Sequence, residues 1–212
     1  MAEKPYVTLL GSGEGEYSEK KSDFLGFAKH VTSEAEATAF VASLRKRFSD
    51  ARHCVYAYLL TEGNATRYSD DGEPQGTAGP PVLDVLAKRG IRDAAVVVVR
   101  YFGGTLLGTG GLVRAYTEAA KLAVEDAGVV TLVPYKVYKV ETDYADYQKL
   151  AAECRKMDVT VEDTVFTERV TTICSLPAER SEKFELHLRD CFNGRVEAQY
   201  LESKLGAMSD GV

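Results

Sequence analysis

No apolar run in this sequence is long. The longest aliphatic one, Ala94-Ala95-Val96-Val97-Val98-Val99, spans six residues, against roughly 20 for a membrane-spanning helix, so no membrane span is expected. The opening residues Met1-Ala2-Glu3-Lys4-Pro5 lack the apolar segment of about 7 to 15 residues that a secretory signal needs, which predicts a cytoplasmic protein. Cysteine is scarce, with four residues at 54, 154, 174 and 191. They form no C-x-x-C and, on this reading, no Cys/His pair at zinc spacing, and four free thiols are expected in a reducing compartment. Histidines at 30, 53 and 187 are too few for a histidine-rich site, so no metal is assigned, and any metal would be expected on oxygen ligands. Basic excess is absent too. With 26 basic and 32 acidic residues the net charge is −6, which argues against a polyanion-binding domain and against DNA sequence readout.

What is present suits a folded, soluble chain. Its 212 residues are 45% apolar and 27% charged, in the globular range and enough for one large or two small domains. Alternation predicts strands over 6–10, 15–19 and 23–31. Ser33, with Glu36 three residues on, predicts the start of an amphipathic helix that carries Ala37, Phe40, Val41, Leu44 and Phe48. A strand follows over 53–61, then a Gly/Pro-rich loop over 72–81. Pro80-Pro81 fits the first turn of a helix that Gly90 stops. Residues 93–102 read as a strand apolar on both faces, and a helix is expected over 112–126.

Past Val133-Pro134 the pattern becomes strand 137–144, helix 147–157, strands 159–166 and 169–176, helix 178–191 and strand 195–201. That β-α-β-β-α-β order is the ferredoxin-like split βαβ arrangement. Two domains are therefore expected, 1–134 and 135–212, with net charges of −2 and −4.

Two segments carry the chemistry. Gly103-Gly104-Thr105-Leu106-Leu107-Gly108-Thr109-Gly110-Gly111 places five glycines between a strand and a helix. Backbone without Cβ atoms can approach a ligand, and a helix N-terminus favours an anion. Arg100 and Arg114 flank the run and can fork onto a phosphate, although a tight strand-to-helix turn explains the glycines as well. The run is neither a P-loop nor a dinucleotide fingerprint, since position 113 is Val. The second segment, Tyr68-Ser69-Asp70-Asp71-Gly72-Glu73-Pro74-Gln75-Gly76-Thr77, holds three carboxylates in four residues. It suits a magnesium ion, a general base or simply an acidic turn; pairing with Arg67 or Arg100 is a further option. His53 and Cys54 are adjacent on a strand and point to opposite faces, so His53 cannot activate the thiol. Tyr56, Tyr58, Tyr68, Tyr101 and Phe102 can stack nucleobases or fill a core.

The acidic segment, continued by Ala78-Gly79, together with Val97-Val98-Val99-Arg100-Tyr101-Phe102-Gly103-Gly104-Thr105-Leu106-Leu107-Gly108, resembles the YigZ/IMPACT family, and His53 to Tyr58 looks like that family's preceding strand. The likeness spans about 15–132, and the C-terminal part resembles the small domain of bacterial two-domain members. The resemblance implies an α+β fold: an N-terminal domain like the second domain of ribosomal small-subunit protein five, and a C-terminal ferredoxin-like domain similar to elongation factor G domain V. It marks His53, Tyr68, Asp70, Asp71, Glu73, Gly76 and Thr77 as a family-motif surface beside Arg100, Tyr101, Gly103, Gly104, Gly108, Gly110, Gly111 and Arg114. Eukaryotic members are linked to control of translation, but no catalytic residue carries over.

Three functions follow as expectations. The first is a non-enzymatic RNA- or ribosome-associated module that regulates translation and holds phosphates on the Arg/Gly surface. The second is an enzyme on a small phosphorylated molecule that uses the acidic loop, and the third an adaptor for a regulatory protein. No cofactor is expected. Acidic and glycine segments facing one pocket favour the second; an open convex surface favours the first.

Overall fold

The computed structural model describes residues 4–208; the expectation about the chain's opening rests partly on residues 1–3, outside them. Residues 6–131 form one unit, and residues 132–208 with Lys4 and Pro5 form another. The architecture is mixed α+β, built on antiparallel sheets.

The first unit contains β1 (Tyr6–Leu9), β2 (Ser12–Glu19), β3 (Ser22–His30), α1 (Glu34–Arg47), β4 (His53–Leu59), β5 (Thr66–Ser69), α2 (Gly79–Lys88), β6 (Ala94–Tyr101) and α3 (Gly108–Asp126). Its sheet runs β2-β3-β6-β4-β5. β6 is central and buried along nearly its whole length, which is why its sequence shows no polar alternation. On one face Val96 and Val98 pack with Leu86 of α2 and Ala119 of α3. On the other, Val97 and Val99 pack with Val41 and Leu44 of α1. Ser33 caps α1 by accepting from the Glu36 amide at 3.3 Å, whereas Glu36 reaches back to the Thr32 amide at 2.8 Å.

Local structure departs from the expected elements at several points. α3 starts at Gly108 and not at 112, because the glycines of its first turn offer no apolar side chains for a periodicity to register. β5 escapes the alternation rule because it is four residues long and mostly exposed. Strand β7 (Val129–Thr142) runs unbroken through Pro134. There Pro134 lies opposite Leu205, one residue before the ladder with β9 begins at Tyr135 and Pro177, and a ladder's end is a place where a missing N–H is tolerated.

The second unit continues from β7 with α4 (Tyr144–Lys156), β8 (Thr160–Phe166), β9 (Val170–Pro177), α5 (Ser181–Cys191) and β10 (Ala198–Ala207). Its strands lie in the order β10-β7-β9-β8. Leu150 and Cys154 of α4, with Phe184 and Leu188 of α5, pack on Tyr138, Val140, Cys174 and Leu176 of the sheet. No helix among the described residues is long and apolar enough to cross a membrane.

Candidate functional site

The antiparallel register sets three residues side by side, with His53 of β4 opposite Arg100 of β6 and Arg100 opposite Phe24 of β3. All three have the parity of the face covered by α2 and α3. Arg100 is buried, with its guanidinium carbon 5.3 Å from the Phe24 ring centroid and 5.5 Å from that of Phe102. Its Nη1 donates to Oε1 of Glu73 at 2.6 Å, and the Tyr116 hydroxyl of α3 donates to the same oxygen at 2.8 Å. Burial, reinforced by the Glu73 charge, pushes the Tyr116 hydroxyl far above its ordinary range, so it stays a donor. Nε of Arg100 is buried and finds no partner among the described residues.

The acidic turn divides its labour. Asp70 folds onto its own loop: Oδ1 accepts from the Ala78 and Gly79 amides at 3.0 and 2.8 Å, and Oδ2 from the Gly76 amide at 2.9 Å. Asp71 accepts from the Cys54 amide at 2.7 Å and from Arg45 at 2.5 Å. Only Glu73 of the three carboxylates lines the pocket described next. The Asp71 carbonyl meets His53 Nδ1 at 2.8 Å. A carbonyl oxygen only accepts, so Nδ1 carries the proton, and the neutral ring has its lone pair on Nε2, 3.9 Å from Glu73. Cys54 lies in the opposite layer, where burial pushes its thiol up.

A pocket of about 430 Å³ opens over this network. Arg52, His53, Glu73 and Arg100 supply its polar wall; Pro74, Phe102, Leu106, Leu107 and Leu112 supply its apolar one, and Gly108 and Thr109 bring the start of α3 to it. No side chain caps α3, so the amides and positive dipole end of this 19-residue helix remain available to an anion. Arg52 is exposed and makes no ion pair among the described residues. Arg52 directly precedes the His53–Tyr58 segment, and nothing local in the sequence distinguishes it from an ordinary surface arginine.

Several of the flanking residues point elsewhere. Tyr101 lies on the α1 side, donating to Asp50 at 2.8 Å, and that hydrogen bond raises its hydroxyl's pKa. Arg114 is exposed and sits 3.8 Å from Glu19. Because α3 begins early, Arg114 belongs to its second turn and not its first. Gly103 approaches its own chain and not an open site: a Cβ there would meet the Lys21 carbonyl oxygen at 1.9 Å, and its amide donates to Ser22 Oγ at 3.1 Å. Gly104 and Gly108 hold positive φ, 86° and 72°, which favours glycine. Gly110 and Gly111 form the first turn of α3. Tyr68 is half exposed on β5, Gly76 turns the acidic loop with φ 80°, and Thr77 is buried and donates to the Pro74 carbonyl at 2.6 Å.

In the second unit, Glu153 of α4 meets His187 and Cys191 of α5. His187 and Cys191 stand one helical turn apart, a Cys/His ligand spacing that the reading of the cysteines overlooked.

Residues 20–124 match the Impact N-terminal domain, and residues 140–195 match a domain of unknown function (DUF1949). The chain is 32% identical over 211 residues to IMPACT family member YvyE of Bacillus subtilis (strain 168), covering 97% of each protein. It is 33% identical over 186 residues to IMPACT family member YigZ of Escherichia coli (strain K12), covering 86% of this chain and 91% of that one. A crystal structure of a protein described as hypothetical aligns with a TM-score of 0.59 at 30% identity, over 94% of this chain and 98% of that one. With likeness of this extent along nearly its whole length, the chain belongs to the IMPACT family.

Proposed function

We propose that the pocket over Arg100 binds the phosphate end of a small phosphorylated molecule. The observation that carries this reading is the convergence, on one concave site, of a buried arginine with a free Nε, the exposed Arg52 and the uncapped start of α3. An anion there gains charge-assisted hydrogen bonds and helix-terminal amides together. The apolar wall suits the remainder of a small ligand. Nε2 of His53 is the group placed to accept a proton, and an enzymatic role rests on that atom. Asp70 is occupied by amides of its own loop and Asp71 by the Cys54 amide and Arg45, so the pocket draws no magnesium cluster from the acidic turn.

Titration calorimetry with pyrophosphate and with a nucleoside monophosphate tests this reading. Arg52→Ala should weaken binding by about 1.5–3 kcal/mol at an unchanged melting temperature. Absence of binding at millimolar ligand, or wild-type affinity in the variant, removes the proposal.

A second reading is favoured by the half-exposed Phe102 and the exposed Leu106 beside the same pocket: contact with RNA or a ribosome in the cytoplasm, with an aromatic ring to stack a base. The IMPACT relationship supports a translation-related role, through an N-terminal domain (1–134) like the second domain of ribosomal small-subunit protein five. The sheet order of the second unit supports a ferredoxin-like domain (135–212) similar to elongation factor G domain V. Salt-sensitive co-sedimentation with ribosomes or total RNA that Arg52→Ala abolishes would establish this alternative, whereas no pelleting at low salt would dismiss it.

A further inference from the structure

We propose that Glu153, His187 and Cys191 form a binding site for a zinc-class divalent cation in the second unit, independent of the pocket over Arg100. His187 Nε2 lies 2.8 Å from Oε2 of Glu153 and 3.3 Å from Sγ of Cys191, and one ligand atom from each of the three residues falls within 4.8 Å of the others. Carboxylate oxygen, imidazole nitrogen and thiolate sulfur at about 2.0 to 2.3 Å from a tetrahedral zinc stand about 3.3 to 3.6 Å apart. To admit the ion the oxygen–nitrogen pair therefore opens by about half an ångström and the nitrogen–sulfur pair by up to a few tenths, while the oxygen and sulfur already lie within 4.8 Å of each other. Side-chain rotation can supply this, since the histidine and cysteine are on α5 and the glutamate on the neighbouring α4.

The surroundings favour a metal over a bare hydrogen-bonded trio. The second oxygen of Glu153 accepts from Lys156 Nζ at 2.6 Å, which orients the carboxylate as an outer partner orients a metal ligand. The Glu153 side chain is 10% exposed and the His187 side chain 35% exposed, leaving an entry path and room for water as a fourth ligand. Cys191 is the half-buried thiol, while Cys54, Cys154 and Cys174 are buried. On binding, the thiol proton leaves to solvent, the imidazole proton resides on Nδ1, and carboxylate and thiolate together balance the dipositive ion. The mixed O, N and S set selects zinc, cobalt or nickel over magnesium and calcium, which prefer oxygen throughout.

Cobalt titration of the full chain under reducing conditions tests the site, because a cobalt–thiolate bond gives charge-transfer absorption in the near ultraviolet. The expected result is that absorption at saturation with a single cobalt per chain, its displacement by zinc, and a zinc-dependent rise in melting temperature. Cys191→Ser should abolish the band, and His187→Gln should weaken zinc at least about tenfold. Cys54→Ser should change neither, and circular dichroism of the metal-free variants identifies any that fail to fold. Absence of the band in the folded wild-type chain overturns the proposal, as does a band that survives in folded Cys191→Ser. If both ligand variants unfold, Glu153→Gln decides: undiminished zinc affinity in that variant also overturns it.

Discussion

Nη1 of Arg100 donates to Oε1 of Glu73 at 2.6 Å, and the two side chains are 6% and 4% exposed. A strand residue and a loop residue 27 positions apart thus share one buried charge pair, with Tyr116 donating to the same carboxylate oxygen. Breaking such a pair from one side leaves an uncompensated charge among aromatic rings. Glu73→Ala should cost about 3–5 kcal/mol. Urea unfolding measures it, and adding Arg100→Ala to that variant should cost less than Arg100→Ala alone, as residues in one network couple.

The glycine run contains positions with opposite expected outcomes. Gly103→Ala drives a Cβ into the backbone of Lys21 and Ser22, where neither neighbour is a side-chain end that can swing away, and should destabilise by about 1–3 kcal/mol or more. At Gly110 an added Cβ meets nothing within 4 Å, and alanine is the better helix former. Gly110→Ala should stabilise by about 0.5–1 kcal/mol. Thermal melts of the pair decide this, and equal melting temperatures would contradict both assignments.

Asp70 holds three loop amides, so its role is structural. Asp70→Ala should destabilise by about 1.5–3 kcal/mol and speed proteolysis within residues 70–79. Asp70→Asn, which keeps an acceptor oxygen, should lose less. Limited proteolysis with urea unfolding reports both.

Acid should weaken both units. Hydrogen bonding from the Thr32 amide lowers the Glu36 pKa below the ordinary 4.5, and Lys204, followed by Ser175, lowers that of Glu162 from the same value. Carboxylates with depressed folded pKa values contribute stability that is fully present above the unfolded value and lost as pH falls through the folded one. The urea midpoint should therefore drop once pH passes below 4.5, and Glu162→Gln should flatten that dependence. A midpoint that rises on acidification would contradict the assignment.

The elements legible in the sequence are those whose burial is set locally. A run of four valines centred in a sheet needs no partner to be recognised as a strand buried on both faces, and Ser33 with Glu36 announces a helix start through contacts within a few residues. The glycine segment was visible as a turn, but whether each glycine serves a ligand, a positive φ or a clash with Lys21 depends on a strand some 80 residues earlier. For the same reason the acidic turn could not be resolved into two loop-holding aspartates and one pocket glutamate.

Periodicity, capping and the two family segments thus determined an α+β chain of two units and pointed to the segments that line its candidate pocket. Tertiary structure alone decided that Arg100 is buried against Glu73, that Arg52 joins it at the pocket, and that α4 brings Glu153 to His187 and Cys191. Local pattern reflects hydrogen bonds and burial along one element. Charge pairs and ligand sets form across elements, where distance in space is unrelated to distance in sequence.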